Sequence, residues 1–407
     1  MKKTLAIILA LTMILCVALT SCKIGDAPKE EEKEEKKEEV QENKDEASED
    51  KAADDSDEIV AELNFDSLEK YNESLENVLA EIEPKAPLDE EVLGTVGVLP
   101  ISATNVRYTY MVVDAPNEGK LTEEEIKDEI ELFYKGNAAL IEYAYKNNIS
   151  LTKQDINSIK ANITSMQFQL GDNYETAFAE SPYTKFFYYF QTSVLQSLYS
   201  RLFEEMRLDH DSDMSKKVHE ETLEYCNAND YVRAKHILIQ FPAGEGENGE
   251  LTDAQKQATL DKANEALEKV NAMGDISEFD ALVKEYNEDP GMESYPGGYY
   301  FTKGEMVAAF EEAAYALEEG KTSGLVETPY GYHILLRLPL DDDAIYDSQI
   351  FFDNFGTALY NDITANLDSY EVVYTDNCDA RIADFAVEYE ELMAKTQSES
   401  TEETTAE

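Results

Sequence analysis

Positive charge, cysteine and histidine are scarce in this chain, and each shortage removes a class of function. The 407 residues carry 34 Lys and Arg against 87 Asp and Glu, a formal net charge of −53. Phosphate backbones repel such a chain, so nucleic acid is not expected as a partner. The four cysteines and four histidines show no metal-ligand spacing, so no metal and no cofactor are expected. Long apolar runs are missing too. After residue 22 no stretch approaches the roughly 20 apolar residues that a membrane-spanning helix needs.

What is present begins with an export signal. Lys2 and Lys3 precede an apolar run from Leu5 to Leu19, which ends in Leu19-Thr20-Ser21-Cys22. Small residues directly before a cysteine at this point resemble the bacterial lipobox, which implies that Cys22 is diacylated and becomes the new N-terminus. The protein is therefore expected on the outer face of the bacterial cytoplasmic membrane, held by lipid alone. Cys16 leaves with the signal, so Cys226 and Cys378 remain, either as one disulfide or as two free thiols.

After the signal (1–22) comes a tether (23–60) built almost entirely of Glu, Lys, Asp, Ala and Ser. It cannot bury enough apolar surface to offset chain entropy, and disorder is expected. The acidic tail 396–407 repeats that composition. Between these ends, Thr122 and Glu125 have capping-box spacing ahead of Ile126, Ile130, Phe133 and Tyr134, and Thr152 with Asp155 precedes Ile156, Ile159 and Ile163. Val106 to Val113 reads as extended. A helix from about Pro182 to Met206 carries Phe186, Phe187, Tyr188, Tyr189, Phe190, Tyr199 and Phe203. Most of these rings are expected to pack internally, with two or three left to form a surface for unfolded chains.

From Tyr231 the pattern changes to a strand, a Gly-rich loop, a helix from Thr252 and a shorter one capped at Ser277. Then come a turn at Asp289-Pro290-Gly291, a helix around Met306 to Leu317, and a closing hairpin of Leu325–Thr328 with Tyr332–Leu338. Four segments stand in one order: A-K-H-I-L-I at 234–239, F-D-A-L-V-K-E-Y-N-E-D-P-G at 279–291, F-T-K-G-E-M-V-A-A-F-E-E-A-A-Y-A-L at 301–317 and Y-G-Y-H-I-L-L-R at 330–337. This stretch resembles the parvulin family of peptidyl-prolyl isomerases, in particular the foldase lipoproteins of that family.

The resemblance implies an α+β fold: a parvulin domain at 229–340, with a four-stranded antiparallel sheet flanked by helices, inserted in a mostly helical chaperone-like module. That module would combine 61–228 with a returning C-terminal segment, 341–395, in which Ile382, Phe385, Val387 and Leu392 are apolar positions. It further implies a catalytic set of His236, Asp289, His333 and Thr328. The two histidines would position the site and satisfy one another's donors, Asp289 would face the reacting amide, and Thr328 would orient one histidine. Phe301, Met306 and Phe310 would grip the proline ring, the last two from one helix face. Unfolded or partly folded exported proteins with X-Pro bonds are the implied partners.

Two departures stand out. Pro296-Gly297-Gly298-Tyr299-Tyr300 replaces the family's Gly-Gly-Asp-Leu-Gly, and Gln240 to Leu251 holds no Lys or Arg, so a phosphate before proline has no cation to meet it. A holdase with an inactive parvulin domain is the rival reading. A solute-binding lipoprotein would need repeated strand-helix alternation, which is absent. The anchor is testable directly: Cys22→Ala should abolish metabolic labelling by fatty acid, and equal labelling of wild type and variant would refute the lipobox.

Overall fold

The computed structural model describes residues 65–80, 82–114, 122–179, 181–245, 250–340 and 343–403; the signal, the tether and Cys22 lie outside them. Seven strands among these residues form two antiparallel sheets: β1 (Val92–Val96), β2 (Leu99–Ser102), β3 (Val232–Gln240), β4 (Tyr299–Phe301), β5 (Val326–Thr328), β6 (Gly331–Leu338) and β7 (Val372–Tyr374). The chain divides into two compact units, Met1–Glu205 with Asp362–Glu407, and Met206–Asn361. No helix among the described residues is long and apolar enough to cross a membrane.

The first unit is mostly helical. Thr122 and Thr152 each close a capping box: their side chains accept the Glu125 and Asp155 N–H groups, and those carboxylates accept the cap N–H at 2.9 and 2.7 Å. The helices Glu123–Lys146 and Lys153–Leu170 that follow bury Ile126, Ile130 and Tyr134, and Ile159 and Ile163. The C-terminal segment returns here, because β7 pairs with β1 through Gly94↔Tyr374 to Val96↔Val372. Arg107 reaches Glu388 at 2.6 Å and Arg381 reaches Glu91 at 3.0 Å across the same seam.

Two expectations are corrected in this unit, and one on the aromatic helix is met. Val106 to Val113 is not extended: Ser102 accepts the Asn105 N–H and starts the helix Ala103–Thr109, which continues as π-helix over Tyr110–Asp114. Its β-branched and tyrosine content suits a strand, but Val106, Tyr108, Tyr110 and Met111 are all buried, and a cap plus burial on every side favours the helix. The aromatic stretch is helical from Lys185 to Leu208 with a π segment at Phe190–Leu195, and Phe186, Phe187, Tyr189, Tyr199 and Phe203 are buried while Tyr188 and Phe190 are half-buried. Most of those rings pack inside the unit, as expected, and Tyr188 and Phe190 keep partial exposure. Finally, the last helix runs Cys378–Glu403, into the stretch expected to be disordered; its Ala, Glu, Lys and Gln residues are strong helix formers. Ile382 and Phe385 are buried on it, whereas Val387 is exposed.

The second unit holds the sheet β4-β3-β6-β5. The helices Asp253–Asn271 and Phe279–Tyr286 cover one face, where Ala263, Ala266, Val270 and Phe279 meet Ile237, Ile239, Ile334 and Leu336. The helix Ala308–Ala316 lies on the other, where Phe310 and Ala314 meet Val232, Ala234, Phe301 and Leu335. This is the α+β arrangement that the resemblance implies. The unit extends beyond 229–340, since the helices Asp213–Ala228 and Gln349–Thr364 are joined by a 3.0 Å bond from Asn354 to Thr222. Asp275, not Ser277, caps the turn before Phe279, accepting the Ser277 N–H. Cys226 and Cys378 are free and buried.

Candidate active site

Strand alternation fixes which side chains share the Phe310 face. In β3 the inward helix-covered positions are Ile237 and Ile239, so His236 and Leu238 point the other way. In β6 the same logic sends His333 and Leu335 to that second face. The register pairs His236 with Leu335 and Leu238 with His333, so the two histidines stand diagonally across the central strands. Their rings meet at 5.1 Å and 71°, edge to face. Neither Nδ1 has a protein partner, so the histidines do not satisfy one another, contrary to expectation.

Each histidine instead has its own polar neighbour at Nε2. His333 Nε2 lies 2.9 Å from Thr328 Oγ1, and Thr328 also accepts the Tyr330 N–H at 3.2 Å. Thr328 thus lies within hydrogen-bond reach of His333. Burial, with the neighbouring His236 adding repulsion, pushes the His333 pKa down to about 4. His236 Nε2 lies 3.0 Å from Asp289 Oδ2, close but off the line of a well-directed ring N–H bond.

Asp289 reaches this point through a segment the motif does not single out. β4 pairs with β3 only at Val232 to Ala234, which leaves the edge of β3 open beyond them. Asn287 and Glu288 close it: Asn287 Oδ1 accepts the Leu238 N–H at 2.9 Å, the Glu288 N–H bonds the Leu238 carbonyl at 2.9 Å, and Asn287 Nδ2 donates to the Asp289 carbonyl at 2.6 Å. Asp289 Oδ1 accepts the Gly291 N–H at 2.9 Å, and Oδ2 accepts the Tyr299 hydroxyl at 3.0 Å. The His236 imidazole beside it, with help from Gly291 and Tyr299 and against the opposing effect of burial, holds the Asp289 pKa down to about 2.

The apolar part is centred on Phe310, whose ring lies 5.2 Å from His236, 5.4 Å from His333 and 5.8 Å from Phe301. Phe301 is almost wholly covered and acts as a floor beneath Phe310. Met306 packs on the same cluster, but by a different route from the one expected. The helix begins at Ala308 with Val307 as its cap, so Met306 precedes it and does not share a helical face with Phe310. All seven expected site residues of the domain come together on one sheet face. Asn287 and Tyr299 join them unannounced. Among the described residues no group of three or more metal-ligating side chains occurs.

A sheet face with an anionic carboxylate, a neutral imidazole held by a hydroxyl, and an aromatic floor can grip a ring and bias an amide. Residues 236–338 match the family model described as Rotamase, PPIC-type PPIase domain. The chain therefore carries a parvulin-type prolyl isomerase domain. Several relatives that share it are named foldases. Foldase protein PrsA of Geobacillus kaustophilus is 38% identical over 112 residues, 27% of this chain and 32% of that protein. Foldase protein PrsA 3 of Bacillus anthracis is 47% identical over 74 residues, 18% of this chain and 25% of that protein. The aligned part thus spans about a third or less of these relatives' own length. Among solved structures, PrsA from Bacillus subtilis is 19% identical, with 74% of this chain and 93% of that chain covered and a TM-score of 0.29.

The buried, neutral state of His333 has a pH consequence. Its folded pKa lies below its ordinary value, so between about 6.5 and 4 the unfolded chain binds more protons and stability falls with falling pH. The contribution is complete above that window and is lost across it, with a limiting slope of about 1.4 kcal/mol per pH unit. Urea unfolding across this window should show a shallower decline in His333→Gln than in wild type. Parallel declines would reject a buried neutral His333.

Proposed function

We propose that residues 229–340 catalyse cis–trans isomerisation of X-Pro bonds in unfolded or partly folded exported proteins, without a phosphate requirement, from a chain anchored through lipid at Cys22 outside the cytoplasmic membrane. The observation that carries this reading is the convergence of His236, Asp289, His333 and Thr328 with Phe301, Met306 and Phe310 on one sheet face.

The reaction needs little chemistry. The barrier of about 18–20 kcal/mol comes from amide resonance, which puts negative charge on the carbonyl oxygen and positive charge on the nitrogen. Twisting the bond returns the electron pair to nitrogen and discharges the oxygen. A fixed carboxylate facing that oxygen therefore disfavours the planar amide more than the twisted one, and a dry surface around the proline ring strengthens the effect. Asp289 is the carboxylate, and Phe310 with Met306 supplies the surface. The resting ionisation suits this division of labour, since Asp289 is anionic and His333 neutral at neutral pH.

Two features support a preference for unphosphorylated substrates. Gln240 to Leu251 holds no Lys or Arg, and Asp289 would repel a phosphate near the amide. A holdase with an inactive domain was suggested by the altered sequence at 296–300. That sequence sets Tyr299 on Asp289, which argues for an intact site.

Full-length protein should accelerate cis–trans exchange of an unphosphorylated proline peptide, and Asp289→Asn should lower the catalysed rate roughly tenfold if Asp289 favours the twisted amide by about 1.4 kcal/mol. Absence of catalysis by folded wild type would leave the holdase reading instead. An unchanged rate in Asp289→Asn would remove the carboxylate from the mechanism.

A further inference from the structure

Asp289 has a side-chain partner that the motif does not assign. The Tyr299 hydroxyl donates to Asp289 Oδ2 at 3.0 Å, the same oxygen that faces His236 Nε2 at 3.0 Å. The hydroxyl is delivered there by backbone. Tyr299 is the first residue of β4 and pairs with β3 opposite Ala234. Gly298 before it has φ +98°, and a Cβ at that position would meet the Ala234 carbonyl oxygen at 3.0 Å, so the approach to β3 requires glycine.

The turn bearing Asp289 is shaped to the same hydroxyl. A Cβ on Gly291 would fall 1.8 Å from the Tyr299 hydroxyl oxygen. Gly291 therefore makes room for the tyrosine hydroxyl, and Asp289, Gly291 and Tyr299 form one fitted unit. Burial, with the Asp289 carboxylate adding to it, raises the Tyr299 phenol far above its ordinary value. The hydroxyl stays protonated and can only donate to the carboxylate. His236 from β3 and Tyr299 from β4 are the titratable side chains that bear most directly on Asp289.

We infer that Tyr299 is a positioning residue for prolyl isomerisation, fixing the Asp289 carboxylate against His236 without itself touching the reacting amide. The inference rests on the isomerase reading above. A residue that merely fills space needs only its ring, whereas this role needs the hydroxyl. Tyr299→Phe separates the two, because it keeps the ring 5.7 Å from His236 and leaves the fit to Gly291 relaxed.

The experiment is a cycle on the full chain: wild type, Tyr299→Phe, Asp289→Asn and the double variant, each assayed on an unphosphorylated proline peptide with thermal unfolding alongside. Tyr299→Phe should lower kcat/KM about 5- to 10-fold, and the double variant should be no slower than Asp289→Asn alone, because the hydroxyl has nothing left to hold. A Tyr299→Phe protein as fast as wild type overturns the inference, as do losses that multiply in the double variant. A second readout is spectroscopic. With 13C-labelled aspartate, the carboxyl resonance missing from Asp289→Asn should titrate at a higher pH in Tyr299→Phe than in wild type, because one donor to the carboxylate is gone. An unmoved titration in Tyr299→Phe overturns the hydroxyl's hold on the carboxylate. Wild type without any catalysis overturns this inference together with the isomerase reading, whereas active wild type with unaffected Tyr299→Phe overturns this one alone.

Discussion

The antiparallel register between β3 and β6 is the constraint on which the site depends. Pairing runs without a break from Arg233↔Leu338 to Gln240↔Gly331. Because side chains alternate along a strand, a slip of one residue would carry one strand's histidine to the face covered by Asp253–Asn271 and Phe279–Tyr286 and bring Ile237 or Ile334 into the site. Both faces resist such a slip. Ile237, Ile239, Ile334 and Leu336 are locked beneath two helices, and Ala234 and Leu335 beneath a third. The histidines are therefore placed by the burial of their apolar neighbours, and the diagonal pairing that brings their rings within 5.1 Å follows from the same register.

Around that fixed pair, the open edge of β3 determines the electrostatics. Since β4 stops at Ala234, the backbone groups of Leu238 and Gln240 need other partners, and the Asn287-Glu288 segment supplies them. Satisfying those groups draws Asp289 to the rim of the site beside His236. One carboxylate then collects an imidazole, a backbone N–H and a phenol, and it stays ionised although partly buried. Across the face, burial and the neighbouring His236 keep His333 neutral, with Thr328 beside its Nε2. Opposite ionisation states within one small site thus come from donors gathered on Asp289 and from burial and a nearby imidazole at His333.

Much of this was legible in the sequence, for reasons that can be named. β3 and β6 read as short, nearly continuous apolar runs, the long helix of the domain starts at a capping Thr252, and the ordered motif segments pick out the seven expected site residues by position. What sequence could not supply was geometry set by partners distant in the chain. Met306 looked like a helix position because it stands four before Phe310, yet Val307 takes extended backbone and starts the helix after it. Tyr299 looked like a disturbance of the pocket edge, because nothing in a linear motif reveals that its hydroxyl meets Asp289 ten residues earlier. The mistaken strand at Val106 to Val113 has the same origin: local propensity favoured extension, and the Ser102 cap with burial on all sides prevailed.

The site also departs from what stability alone would select. The Nδ1 atoms of His236 and His333 are buried without protein partners, and an unsatisfied buried polar group costs about 1–3 kcal/mol. Apolar residues of similar volume at these two mid-strand positions would pack against Phe310 without that cost. The cost falls on the strands best able to carry it, since β3 and β6 are central in the sheet and covered on both faces. A polar group on an edge strand could instead be solvated and would drift with it. Keeping two imidazoles in the middle of the sheet fixes their orientation relative to Asp289 and Phe310, and that orientation is what a surface must provide if it is to distinguish a twisted amide from a planar one.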